Sequence, residues 1–234
     1  MRYPKRTTRA SCILTVFIFL FLPFSAEEAF PEELVREIIS EVFWCELEPI
    51  IQEDEEYPPP RDQMLKQILA EAQFVFSGMI YGFRFVYTPL DLTRNVEEVF
   101  ILEPLSRILW GDKNLKVEST RTDDDRLYAR VRYRLADFQQ DWLKLWESTT
   151  LPTASGTGRG DLFGGYKEKF TALRQGIKQA IRDYLRERVF NKPKEIRGEV
   201  LLMGAPYTII DSGTYSAKVK IKLKIDEIVP YTLF

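Results

Sequence analysis

Two segments of this chain carry the same alternating pattern, and nothing else in the sequence constrains the fold as much. Ala129-Arg-Val-Arg-Tyr-Arg-Leu135 and Ala217-Lys-Val-Lys-Ile-Lys-Leu223 match position by position in chemical type. Apolar and basic residues alternate with a period of about two, the signature of a strand with one buried face. Asp123 stands before the first segment as Asp211 stands before the second, each in a turn-like stretch, Thr122–Asp125 and Asp211–Thr214. Each pair of stretch and segment reads as a hairpin.

The likeness extends upstream. Leu65–Ala70 parallels Ile177–Arg182, both inside helical patterns, and a glycine-led apolar run follows each, Gly82–Tyr87 and Gly198–Met203. The sequence therefore predicts two weakly repeated helix–strand–strand units in an α+β fold. Helices would cover one face of a small, mainly antiparallel sheet. Residues 27–61 read as an N-terminal helix and an acidic, proline-rich linker. Leu34, Val35, Ile38, Ile39 and Val42 have helical spacing, and Pro58–Pro60 cannot continue a helix. Residues 62–149 form the first unit, with a helix inserted over Thr93–Trp110. Residues 150–165 read as a glycine-rich loop and 166–234 as the second unit. Phe138, Trp142 and Leu145 mark a short amphipathic helix, and Tyr81, Phe83, Phe85 and Tyr87 a core-facing strand.

Residues 1–26 set the expected compartment. Arg2, Lys5, Arg6 and Arg9 precede an apolar run from Cys12 to Phe24, then Ser25, Ala26 and the acidic Glu27 and Glu28. This is the order of an export signal, with cleavage expected after Ala26; Phe24 is a poor residue three places before a cut and leaves retention as an anchor open. The run is shorter than the roughly 20 residues that span a bilayer. Losing the signal takes the formal charge from -2 to -6. A mildly acidic exported protein points away from nucleic acid.

The chain has no histidine. That removes His-dependent triads and the usual general base and metal ligand. Beyond the signal only Cys45 remains, too few thiols for an intrachain disulfide, and its apolar neighbours suit a buried small hydrophobe. No complete catalytic, cofactor or metal motif is present, so no enzyme activity, cofactor or metal is expected.

Two surfaces stand out. Arg130, Arg132 and Arg134 line one strand, and Lys218, Lys220, Lys222 and Lys224 the other. If both strands share one sheet face, these cations form a basic surface for an anionic polymer, a glycan or a membrane surface. Arg159-Gly160-Asp161 lies in the glycine-rich stretch, which holds five of the chain's twelve glycines through Gly165; on a mobile loop it would offer an adhesion motif. Glu97, Glu98, Glu103 and Asp123–Asp125 supply carboxylates for a remote hydrolase reading. The expected function is a non-catalytic envelope or periplasmic protein that works through contacts with other envelope proteins. A binding module for an anionic polymer is the alternative.

Overall fold

The computed structural model describes residues 37–50, 59–189 and 191–231. The export signal (1–26) and the first part of the expected N-terminal helix lie outside them. The order is β1 (Ile38–Glu46), α1 (Arg61–Ile80), β2 (Phe83–Thr88), β3 (Val99–Pro104), β4 (Leu115–Asp123), β5 (Arg126–Arg134), α2 (Asp137–Lys144), β6 (Thr153–Asp161), α3 (Lys167–Arg186), β7 (Glu195–Leu202), β8 (Tyr207–Asp211) and β9 (Thr214–Val229).

The fold is α+β, and its strand pairs are antiparallel. They divide between two sheets rather than filling one. A three-stranded sheet has the order β1-β5-β4, and a six-stranded sheet the order β3-β2-β7-β9-β6, with β8 also beside β9. α1 lies against β1, β5 and β7, and α3 against β6 and β9.

Both expected hairpins form. β4 and β5 meet at Asp123↔Arg126, and β8 and β9 at Asp211↔Thr214. Ser212 and Gly213 both have positive φ, 51° and 73°, as a two-residue turn of the hairpin-favouring hand requires. The two hairpins correspond in register as well as in shape. Thr120↔Ala129 in the first becomes Thr208↔Ala217 in the second, at one constant spacing along the chain.

The repeat reaches one element further upstream than the sequence suggests. β1 pairs with β5 from Ile38↔Arg134 to Glu46↔Arg126. β6 pairs with β9 from Thr153↔Lys222 to Asp161↔Thr214, the same register on the equivalent strand. Each unit is thus strand–helix–strand–hairpin, with helices of 20 residues in both. The units join where β2 pairs with β7, Phe83↔Val200 through Tyr87↔Ile196. β9 runs 16 residues to the 9 of β5, and its extension carries β7.

The two strands that complete the repeat are the ones expected otherwise. Ile38–Glu46 is a strand, not part of a helix. Ile39, Phe43 and Cys45 are buried, and β-branched and aromatic residues outweigh the helical spacing begun further upstream. Residues 153–161 are a strand, not a loop. Gly156, Gly158 and Gly160 alternate along it and face α3, whose own small residues Ala172, Gly176 and Ala180 recur every fourth position. The two backbones touch: a Cβ on Gly158 would lie 2.1 Å from the Ala172 carbonyl oxygen and the Gly176 nitrogen. Strand propensity is poor for glycine, but only glycine lets a helix backbone settle on a strand.

Two further expectations change. Val99–Pro104 is a strand, not a helix; it follows a tight turn in which Asp91 accepts hydrogen bonds from Thr93 and Arg94. α2 forms as expected, but Phe138, Trp142 and Leu145 face outward, and Gln139 is buried instead. The Gln139 amide donates to the Tyr81 and Tyr133 hydroxyls, at 2.7 and 3.0 Å, and its carbonyl oxygen accepts from the Ala136 N–H. Phe83, Phe85 and Tyr87 are buried, the core-facing strand the sequence predicts.

Gly158→Ala should cost about 3 kcal/mol or more, because the clash is with backbone rather than a movable side chain. Gly204→Ala, where a Cβ meets nothing within 4 Å, should be near neutral. Urea midpoints of the two variants check the contrast.

Candidate interaction surface

β9 has a covered and an open face. Tyr215, Ala217, Val219, Ile221 and Leu223 point under α3 and into the core. Period two then forces Lys218, Lys220, Lys222 and Lys224 to the other face. Two of these lysines are engaged. Lys222 donates to the Trp146 carbonyl at 2.5 Å. Lys224 pairs with Glu199 at 3.2 Å and Asp226 at 3.4 Å. Lys218 and Lys220 are exposed and make no ion pair among the described residues. Across the strand, Lys220 lies opposite Ser155, and Lys218 opposite Thr157 on one side and Tyr207 on the other. Tyr207, 68% exposed, and Met203 add apolar surface at the margin.

The arginines of β5 do not join them. Arg130, Arg132 and Arg134 are exposed, but β5 belongs to the three-stranded sheet and β9 to the six-stranded one. Their own strand neighbours are Val42, Ser40 and Ile38 on β1. The condition for one surface of seven cations, both strands in one sheet, is therefore not met.

Arg159, Gly160 and Asp161 lie at the end of β6 and not on a mobile loop. Gly160 is buried beneath the Glu168 backbone. Asp161 accepts from the Phe163 N–H at 3.0 Å, capping a single helical turn at Leu162–Gly164, and Arg159 reaches Asp211 at 3.8 Å. The tripeptide is part of the sheet, held extended by its ladder.

A protein-family model matches residues 28–231, nearly the whole chain. The chain belongs to that family, one of uncharacterized proteins. An uncharacterized protein of Treponema pallidum (strain Nichols) is 28% identical over 200 residues, covering 84% of this chain and 83% of its own length. No solved structure matches. The family match spans both units of the repeat.

Two further sites lie between the elements. A cleft of about 250 Å³ opens between β3 and α3, lined by Glu98, Phe100, Leu102, Thr171, Arg174, Gln175 and Lys178. Its carboxylate is already held: Glu98 accepts from Lys178 at 2.7 Å and from the Tyr87 hydroxyl at 3.0 Å. Partial burial opposes its charge, but the hydrogen bonds from Lys178 and Tyr87 and the Lys178 charge outweigh this and hold the carboxyl below its ordinary value. A carboxylate so held is an anchor, not a proton donor at neutral pH.

Between α1, α3 and β1 lies a buried cation that no sequence pattern marks. Lys169 donates to Glu71 at 2.7 Å and to the Trp44 carbonyl at 2.6 Å, with its ammonium 4.1 Å from the Trp44 ring centre. Tyr166 donates to the same Glu71 at 2.6 Å. Every partner a buried ion pair needs is present. Cys45 is buried beside this pair; burial pushes its thiol up to about 12 even though the Lys169 charge opposes the shift. A thiol so placed is protonated at neutral pH and is a packing group, not a nucleophile. Among the described residues no group of three or more His, Cys, Asp or Glu is arranged to hold a metal ion, and no helix is long and apolar enough to cross a membrane.

Glu98 supplies a pH dependence of definite sign. Its carboxyl is lowered in the folded state, so its stabilising contribution is complete above the ordinary carboxyl range. It is lost as pH falls through the lowered folded value. Glu98→Gln should therefore lower the urea midpoint at pH 7, and the gap from the native protein should close under acid conditions.

Proposed function

We propose that this is an exported, non-catalytic protein that works by contact, holding an acidic partner protein of the cell envelope against the open face of its six-stranded sheet. One observation carries this reading: Lys218 and Lys220 stand exposed and without ion pairs among the described residues, on a strand whose other two lysines are engaged. A strand cation that supports the fold finds a carbonyl or a carboxylate, as Lys222 and Lys224 do. These two face solvent amid hydroxyls and the Tyr207 ring, a mix of charge, hydrogen-bonding capacity and aromatic area that suits recognition. The order of residues 1–26 supports the exported compartment.

Both lysines are exposed, so replacing them leaves the core untouched. Lys218→Thr with Lys220→Thr should weaken retention of the partner from an envelope extract by about tenfold, at roughly 0.7 kcal/mol per exposed charge. Raising the salt concentration should weaken the native protein in the same direction. Unchanged retention by the double variant contradicts the reading. Retention of a soluble anionic polymer in place of a protein would move the assignment to a polymer-binding module.

A further inference from the structure

A second group of exposed apolar side chains lies on α2 and in the turn before β4. On α2, Phe138, Trp142 and Leu145 are spaced as one helix face, and they are 65%, 39% and 69% exposed. In the turn, Leu109 and Trp110 are 69% and 59% exposed. A solvated helix face is normally polar. Here the polar residue is inside and the aromatic stripe outside.

Hydrogen bonds bring the two segments together. The Ile108 N–H donates to the Ser77 hydroxyl at 3.0 Å, and the Trp142 indole donates to the Tyr81 carbonyl at 3.2 Å, one turn further along at the end of α1. The Tyr133 hydroxyl donates to Asp112 at 3.1 Å and accepts from Gln139 at 3.0 Å, bridging the turn directly to α2. The five apolar side chains thus project from one fixed platform. Gly111, in the turn, has open space where a Cβ would stand.

Exposed cations lie around the patch, with Asp137 and Glu147 as the exposed carboxylates at the two ends of α2. Arg107 and Lys113 flank the turn in sequence and are exposed. Arg134, which ends β5 just before α2, is exposed, and its N–H bonds to the Asn114 carbonyl at 3.3 Å, placing it beside the turn. Lys116 lies opposite Arg132 on the adjoining strands, both exposed. Asp141, the acidic residue in the middle of α2, is neutralised by Lys144 at 2.8 Å.

We propose that this patch docks on an anionic membrane surface. The two tryptophans, the phenylalanine and the two leucines enter the headgroup and acyl boundary, and the flanking cations meet the lipid phosphates. Projecting aromatics prefer that boundary, and apolar area combined with basic charge is what binds a protein in its plane.

The test uses the full-length chain with vesicles of phosphatidylcholine, alone or mixed with brominated phosphatidylglycerol. Trp44 and Trp146 are buried, so quenching by bromine reports Trp110 and Trp142. The expected result is a blue shift and quenching with the mixed vesicles. Phe138→Ser with Leu145→Ser should lower partition at least about tenfold. Lys113→Gln with Arg134→Gln should lower it by about fivefold per cation, on anionic vesicles only. Residues 1–26 contribute equally to every variant, so the differences report the patch. Should the double serine variant not fold, Trp110→Ser, in the open turn, carries the same comparison. Absence of quenching, partition unaltered in the variants, or self-association or protein capture through the patch without lipid would overturn the proposal.

Discussion

The contact on which the rest depends is backbone to backbone, between α3 and β6. Ordinary helix-on-sheet layers are held apart by side chains. Here glycines alternate down the strand, and Ala172, Gly176 and Ala180 answer them on the helix, so the two meet with nothing between. A strand with so little side chain has no apolar pattern to fix its register. The helix fixes it, because only the glycine face of β6 can lie under α3. Once β6 is set against β9, the face of β9 beneath α3 is the apolar one, and its lysines must face out. The outward lysines, and the proposed docking of a partner on them, follow from that one close approach.

The duplicated units share strand order and register but solve the same layer differently. Where β6 has Gly158 and Gly160, the equivalent positions of β1 have Phe43 and Cys45. In the first unit, side chains fill the space under the helix: Phe43 meets Phe76 of α1 edge to face, with ring centres 5.6 Å apart. In the second unit the space is absent. The halves are then locked by Trp44, which leaves the face of β1 turned away from α1. It lies against Tyr215 of β9, donates to the Thr208 carbonyl at 3.2 Å, and is covered by the Lys169 ammonium. One aromatic residue on the first unit therefore reads the hairpin and the helix of the second.

What the sequence showed and what it concealed have the same physical origin. The hairpins were legible because turn residues and period-two alternation are local signals: Asp123 to Arg126 and Asp211 to Thr214 close where their chemistry says they should. α3 was legible in part, from the helical pattern over Ile177–Arg182; its apolar residues Leu173, Ile177, Ile181 and Leu185 are all buried. Its second face, Ala172, Gly176 and Ala180, was not, because small residues carry little hydrophobic signal. β6 was concealed for the same reason, its stability coming from a helix that follows it in the chain. α2 misled in the opposite sense, since an amphipathic pattern says that a helix has an apolar face but not that the face is covered. Of the candidate surface, Lys218 and Lys220 could be named from alternation alone. The separation of β5 from β9 could not, because sheet membership is a long-range property.

Residues 153–161 are a strand pinned beneath α3 and not a glycine-rich loop. Native-state hydrogen exchange tests this placement directly, since amides in a pinned strand open only with the units they join. The β6 amides bonded to β9 should exchange as slowly as those of β9 itself and gain their protection together with α3. Exchange of residues 153–161 at the rate of an open loop, with β9 still protected, would contradict it.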